Sequence, residues 1–137
     1  MVSPDSRVEE NAEYVRKGAS KISDEDVENV VEKSEEIKRK FRLTGPLSRF
    51  MSDGYLLLGL VRDYWKGRYR RLPRWSIAAA AFALLYVLNP FDMMPDMIPF
   101  VGAIDDAGVL GACLMLVEQD LAHYRKWIAS LALPPKS

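Results

Sequence analysis

The sequence of 137 residues contains a single cysteine, Cys113, and a single histidine, His123. One cysteine cannot form an intrachain disulfide, and together the two residues cannot supply the four ligands of a structural zinc site. The sequence also has no Walker loop, no dinucleotide-binding fingerprint and no zinc-protease motif. No nucleophilic serine or cysteine stands at a recognisable spacing from His123. An enzyme of a known class is therefore the less favoured interpretation.

The chain has no net charge, because 19 basic side chains balance 19 acidic ones. Their distribution is uneven: residues 46–75 carry 7 basic and 2 acidic side chains, whereas the segments on either side are acidic. Residues 1–10 are polar and contain no apolar run of the kind found in secretory signals, which predicts synthesis in the cytosol without export. A content of 49% hydrophobic and 28% charged residues is typical of a globular protein.

Strand patterns are absent, and apolar residues recur at helical spacing, which predicts an all-α fold. Residues 1–20 are polar, and we expect them to fray or to be partly helical. Ser23 followed by Asp26 is a capping-box pattern that predicts the start of a helix. Gly67 and Pro90 predict helix ends, since glycine favours the C-terminal cap and proline cannot continue a helix. The predicted helices cover about residues 24–42, 46–66, 73–88 and 103–129.

A loop rich in proline and aspartate separates the last two predicted helices. Three prolines fall within ten residues of it, and each restricts its own backbone and that of the residue before it. We therefore expect a stiff loop that holds its carboxylates in a defined arrangement. The motif consists of Tyr86, Pro90, Asp92, Pro95, Asp96, Pro99, Gly102, Asp105 and Asp106.

This motif resembles the signature of the YkvA-like family, a bacterial domain of unknown function. The resemblance extends over roughly residues 55–127, and residues 63–70 and 120–124 also look like the corresponding segments of family members. It implies a compact helical domain that is often membrane-associated. It implies no catalytic residues, because none are established for the family.

The resemblance predicts two parts: a polar N-terminal region at residues 1–45 with an amphipathic helix, and a YkvA-like helical domain at residues 46–137. That domain is expected to be a small bundle with a C-terminal helical hairpin joined by the Pro/Asp-rich loop. The amphipathic helix carries one narrow apolar stripe, which we expect to dock on the domain or on a protein partner. The stripe consists of Val27, Val30, Ile37 and Phe41.

The four loop carboxylates have two interpretations. Several acids on a rigid loop can bind a hard divalent cation, and such a cation is the only cofactor that the sequence suggests. Alternatively, Asp92 and Asp96 close turns while Asp105 and Asp106 cap the last helix, which explains why all four are Asp and none is Glu. Capping is the simpler interpretation, and both remain open.

The apolar helices also have two interpretations. Residues 75–91 contain no charge, but a helix of that length spans only about 25 Å against a hydrocarbon core of about 30 Å. Basic residues lie at both ends of the hairpin, which favours a membrane-associated, transmembrane hairpin with cytoplasmic termini and with Trp65, Trp75 and Trp127 near the interface. The alternative is a pair of buried helices in a soluble cytoplasmic bundle. The basic residues before the hairpin are Lys66, Arg68, Arg70, Arg71 and Arg74.

These basic residues are interleaved with aromatic ones, a combination that can also bind nucleic acid. A net charge of zero and a pI of about 6.6 argue against that partner, and anionic lipid is favoured instead. The sequence thus predicts a non-enzymatic, membrane-associated adaptor or regulatory protein. The alternative is a soluble helical protein whose Asp-rich loop binds a divalent cation, with hydrolysis as its candidate activity.

Overall fold

A computed structural model describes residues 4–89 and 106–132, and within these ranges the chain forms eight helices and no strand. The predicted all-α helical bundle is confirmed. The helices are α1 (Pro4–Ala19), α2 (Asp24–Glu32), α3 (Ser34–Leu43), α4 (Gly45–Ser48), α5 (Met51–Trp65), α6 (Arg74–Leu88), α7 (Asp106–Leu116) and α8 (Glu118–Ala132).

The predicted helix boundaries are largely those of the structure. The Ser23 hydroxyl accepts a hydrogen bond from the Asp26 N–H at 3.2 Å, and the Asp26 carboxylate accepts one from the Ser23 N–H at 2.9 Å, which completes the capping box of α2. Gly67 has a φ of +78° just after α5, the left-handed conformation that favours glycine. Three predicted helices are each divided in two, at Lys33, near Phe50 and at Val117.

Of the two expectations for residues 1–20, fraying or partial helix, the structure shows the helix: α1 covers Pro4–Ala19 and packs against α6 and α7. Its inner face repeats at helical spacing but is made largely of small or polar residues, so it lacks the usual apolar signal. Gly18 lies against the ring of Phe82, and this contact brings α1 close to α6. Among residues 9–19 of α1, those that are buried are Asn11, Ala12, Tyr14, Val15, Gly18 and Ala19.

Helix α6 is the centre of the bundle. It contacts α1, α2, α3, α5 and α7, and every residue from 76 to 87 is buried. A helix that is apolar on all sides must be covered on all sides, and its six small residues, Ser76, Ala78, Ala79, Ala80, Ala81 and Ala83, allow neighbouring helices to approach. The first helix of the predicted hairpin is therefore at the core of the fold.

The apolar stripe predicted for docking lies in this same core. Val27 and Val30 of α2 and Ile37 and Phe41 of α3 are at most 1% exposed, and both helices pack on α5 and α6. The stripe is covered by the chain itself, so it is not an exposed surface for a protein partner. The boundary at residue 45 stays a prediction, although a core shared by residues on both sides of it argues against separable parts.

Candidate functional site

None of the helices in residues 4–89 and 106–132 combines the length and the apolar character needed to cross a membrane. The predicted transmembrane hairpin is thus not found in the described part of the chain. Helix α6 has 15 residues and α7 has 11, and α6 is enclosed by other helices.

The motif is only partly described by the structure. Tyr86 is buried, with its ring 5.8 Å from that of Tyr14 in an edge-on arrangement, so it is a core residue. Asp106 is the first residue of α7, where its position agrees with a role at the helix start. The side chain of Asp106 and the residues Pro90, Asp92, Pro95, Asp96, Pro99, Gly102 and Asp105 lie outside the described residues.

Capping by the four aspartates therefore stays a prediction, with a cation site as its alternative. Asp→Asn substitutions distinguish the two. Asparagine caps a helix nearly as well as aspartate but is a much poorer ligand for a hard cation. If Asp105 and Asp106 are caps, Asp105→Asn and Asp106→Asn should change the melting temperature little, whereas Asp106→Ala should cost about 0.5–2 kcal/mol.

Melting with and without millimolar magnesium or calcium provides the control for that experiment. If caps are the answer, neither cation should stabilise the wild type. A gain of several degrees that is abolished by Asp92→Asn or Asp96→Asn would contradict capping and establish a cation site.

Four of the five basic residues predicted before the hairpin lie on the segment that joins α5 to α6, residues 66–73, here called the basic connector, and the fifth, Arg74, is the first residue of α6. Lys66, Arg70 and Arg71 are exposed, and the Arg70 guanidinium lies 5.0 Å from the centre of the Tyr64 ring. The other two predicted residues form ion pairs: Arg68 with Asp63, and Arg74 with Asp24 at the start of α2. Three cations of the connector thus remain exposed without a salt bridge to a described residue.

The connector has no regular secondary structure, yet Asp63 of α5 holds it from two sides. The Asp63 carboxylate accepts a 2.5 Å hydrogen bond from the Tyr124 hydroxyl of α8 and a 2.9 Å ion pair from Arg68. Its backbone carbonyl accepts the N–H groups of Arg68, at 2.8 Å, and Tyr69, at 3.2 Å. Burial, with the hydrogen bond to Asp63, raises the pKa of Tyr124 above its ordinary value, so the hydroxyl keeps its proton and remains a donor.

Aromatic packing fixes the connector from the other side. Tyr69 is buried, with its ring centre 5.1 Å from those of both Tyr124 and Trp127 on α8. Nearby, the buried Ser76 hydroxyl of α6 donates a 2.6 Å hydrogen bond to Asp120 of α8. The basic connector is therefore a fixed surface, built on α5, α6 and α8.

The three tryptophans expected at a membrane interface differ in exposure. Trp75, the second residue of α6, is 46% exposed beside the connector. Trp65 and Trp127 are half-buried and pack against the core. Only Trp75 therefore presents a large aromatic surface next to the exposed cations.

The single cysteine is a core residue and the single histidine is a surface residue. Cys113 is buried, and its thiol contacts the Ala79 carbonyl at 3.5 Å. Burial raises the pKa of Cys113 to about 12, which suits a small core residue and not a nucleophile. His123 is exposed on α8. Among residues 4–89 and 106–132, no three His, Cys, Asp or Glu side chains are grouped to hold a metal ion.

Comparison with known proteins finds one family model and one curated relative. Residues 76–112 match a family model described as a protein of unknown function (DUF1232). The chain is 38% identical over 68 residues to a protein of Bacillus subtilis (strain 168) named uncharacterized membrane protein YkvA. That alignment covers 50% of this chain and 64% of the relative. No solved structure matches the chain significantly.

Proposed function

We propose, from the chain's similarity to the YkvA-like family, that it is a non-enzymatic helical module that binds the cytoplasmic surface of an anionic membrane. There it would act as an adaptor or regulatory protein. The observation that carries this proposal is the basic connector, which presents exposed Lys66, Arg70 and Arg71 next to the exposed ring of Trp75.

Electrostatics and the chemistry of tryptophan support a lipid surface as the partner. A basic side chain near an anionic membrane contributes about 1 kcal/mol, so a small cluster gives reversible binding. Tryptophan prefers the membrane–water interface, where one end of the ring is apolar and the other is wet. Surface binding of this kind requires no membrane-crossing helix, and the name of the Bacillus subtilis relative, an uncharacterized membrane protein, agrees with it.

The fixed conformation of the basic connector also supports the proposal. Because Asp63, Tyr124 and Tyr69 already hold the connector in place, binding would order few additional backbone residues and would lose little conformational entropy. Nucleic acid is the weaker candidate for the same surface, since the chain has no net positive charge.

Reversing two charges of the connector tests the proposal. We expect Arg70→Glu combined with Arg71→Glu to lower the partition coefficient on phosphatidylglycerol-containing vesicles by about tenfold or more, because four units of charge change at the surface. Co-sedimentation with vesicles measures the partition coefficient. Binding of the wild type should also weaken as the salt concentration rises, and it should be minimal on purely zwitterionic vesicles.

The matched control is Arg39→Glu combined with Lys40→Glu, which makes the same charge change at two exposed residues of α3. We expect this variant to bind nearly as well as the wild type. Equal losses in the two variants would mean that net charge, and not the connector, decides binding. Absence of wild-type binding to anionic vesicles would contradict the proposed function itself.

A further inference from the structure

The apolar stripe of α8 extends beyond the surface that the bundle covers. The stripe begins at Val117, just before α8, and repeats at helical spacing through Leu121 and Tyr124, all of which are buried. It continues at the same spacing to Ile128 and Leu131, which are 36% and 64% exposed. One face of a single helix is thus core in its first half and open surface in its second.

This open end of the stripe lies beside the basic connector. Trp127, one residue before Ile128, packs against Tyr69 of the connector with ring centres 5.1 Å apart. The adjoining Arg125 and Lys126 are exposed, and Arg125 lies 3.5 Å from Asp53. Basic and apolar side chains therefore lie close together at the end of α8, as they do in helices that lie in a membrane interface.

We propose that the last turns of α8, through Ile128 and Leu131, insert into the interface of the anionic membrane that the basic connector binds. This inference rests on the proposed function and adds a second, apolar contact to it. The cations beside the stripe match anionic headgroups, whereas a second copy of the chain seated on the same face would bring Lys126 and Arg125 towards their own equivalents. Charge complementarity thus favours lipid over self-association.

A polarity-sensitive fluorophore attached at residue 131 tests the insertion. Leu131→Cys provides the attachment site, and the native Cys113 is buried and so protected from labelling. The label should show a blue shift and a rise in intensity on addition of phosphatidylglycerol-containing vesicles, because the fluorophore leaves water. The matched control is Leu43→Cys at the end of α3, which is 76% exposed and also adjoins basic residues, and its label should not respond.

An equal fluorescence change of the labels at residues 131 and 43 would overturn the inference. A blue shift at residue 131 that appears without vesicles and grows with protein concentration would also overturn it, because a second copy of the chain would then cover the stripe. A second pair of variants requires no label: Leu131→Asp should reduce vesicle binding by about tenfold relative to Leu43→Asp, with both retaining the helical circular dichroism of the wild type. If the wild type binds vesicles through Arg70 and Arg71 but the paired variants behave alike, this inference fails and the proposed function stands. If the wild type does not bind, the proposed function fails as well.

Discussion

Replacing Gly18 by alanine is expected to destabilise the protein by about 2 kcal/mol, even though alanine is the better helix former. A Cβ atom at this position would lie 2.1 Å from a ring atom of Phe82, well inside van der Waals contact. The ring cannot turn aside easily, because it is buried and packs edge-on against Tyr14 at 5.4 Å. Overpacking of this kind costs about 3 kcal/mol, and the gain in helix propensity offsets no more than about 1 kcal/mol. Chemical denaturation measures the difference.

Gly111→Ala in α7 is the matched control, since it is also a glycine-to-alanine change inside a helix. The nearest atom to its added Cβ would be a ring carbon of Phe50 at 3.9 Å, an ordinary contact, so we expect unchanged or slightly increased stability. Phe82→Leu should recover part of the loss in the Gly18→Ala background because it removes the clashing ring atoms. A Gly18→Ala variant as stable as the wild type would mean that α1 does not approach α6 as closely as the structure indicates.

This close contact also explains why the sequence allowed a partial helix in residues 1–20 but did not predict that it docks on the core. Its buried face includes Asn11, Ala12 and Gly18, which carry little hydrophobic signal of their own. Whether such a face docks depends on the surface opposite, here the Phe82 ring of α6, and no local pattern contains that information. The capping box at Ser23 and the turn at Gly67 could be predicted because each depends on neighbouring residues only.

The uncharged run at residues 75–91 illustrates a second limit. An apolar helix about 15 to 17 residues long is compatible with a bilayer or with a protein core, since both environments exclude charge. The outcome is decided by what surrounds the helix. In this fold α6 has five helical neighbours among the described residues, so the run forms a core.

The candidate site was visible in the sequence as a composition but not as a geometry. The excess of basic residues between positions 46 and 75 indicated a cationic surface, and it is found at the connector. The sequence could not pair Asp63 with Tyr124, which lie 61 positions apart, nor Ser76 with Asp120, which lie 44 apart. It also could not show which cations are neutralised. The ion pair of Arg74 with Asp24 depends on the approach of two helices whose residues are 50 positions apart, and that of Arg68 with Asp63 depends on how the chain turns after α5.

A chain that begins at Gly45 is expected to lose cooperative folding, because α1, α2 and α3 all pack on α6. Val15, Val27, Val30, Ile37 and Phe41 are each at most 1% exposed and would be removed together. Burial of one such side chain contributes about 1.5–3 kcal/mol, so five of them approach or exceed a total stability of about 5–15 kcal/mol. Thermal melting followed by circular dichroism should therefore show a broad transition with no defined midpoint, and the truncated chain should aggregate.

The matched test is to add residues 1–44 as a separate peptide. If these helices belong to one core, the peptide should restore a cooperative transition, whereas a peptide carrying Val27→Asp and Ile37→Asp should not, because both positions are buried in the complete chain. A peptide carrying Glu28→Asp and Lys40→Asp changes two exposed positions instead and should restore folding nearly as well as the unaltered peptide. If the truncated chain instead remains monomeric and melts cooperatively without the peptide, residue 45 is a true domain boundary. The first three helices would then be an appended unit, and the stability of the YkvA-like segment would not depend on them.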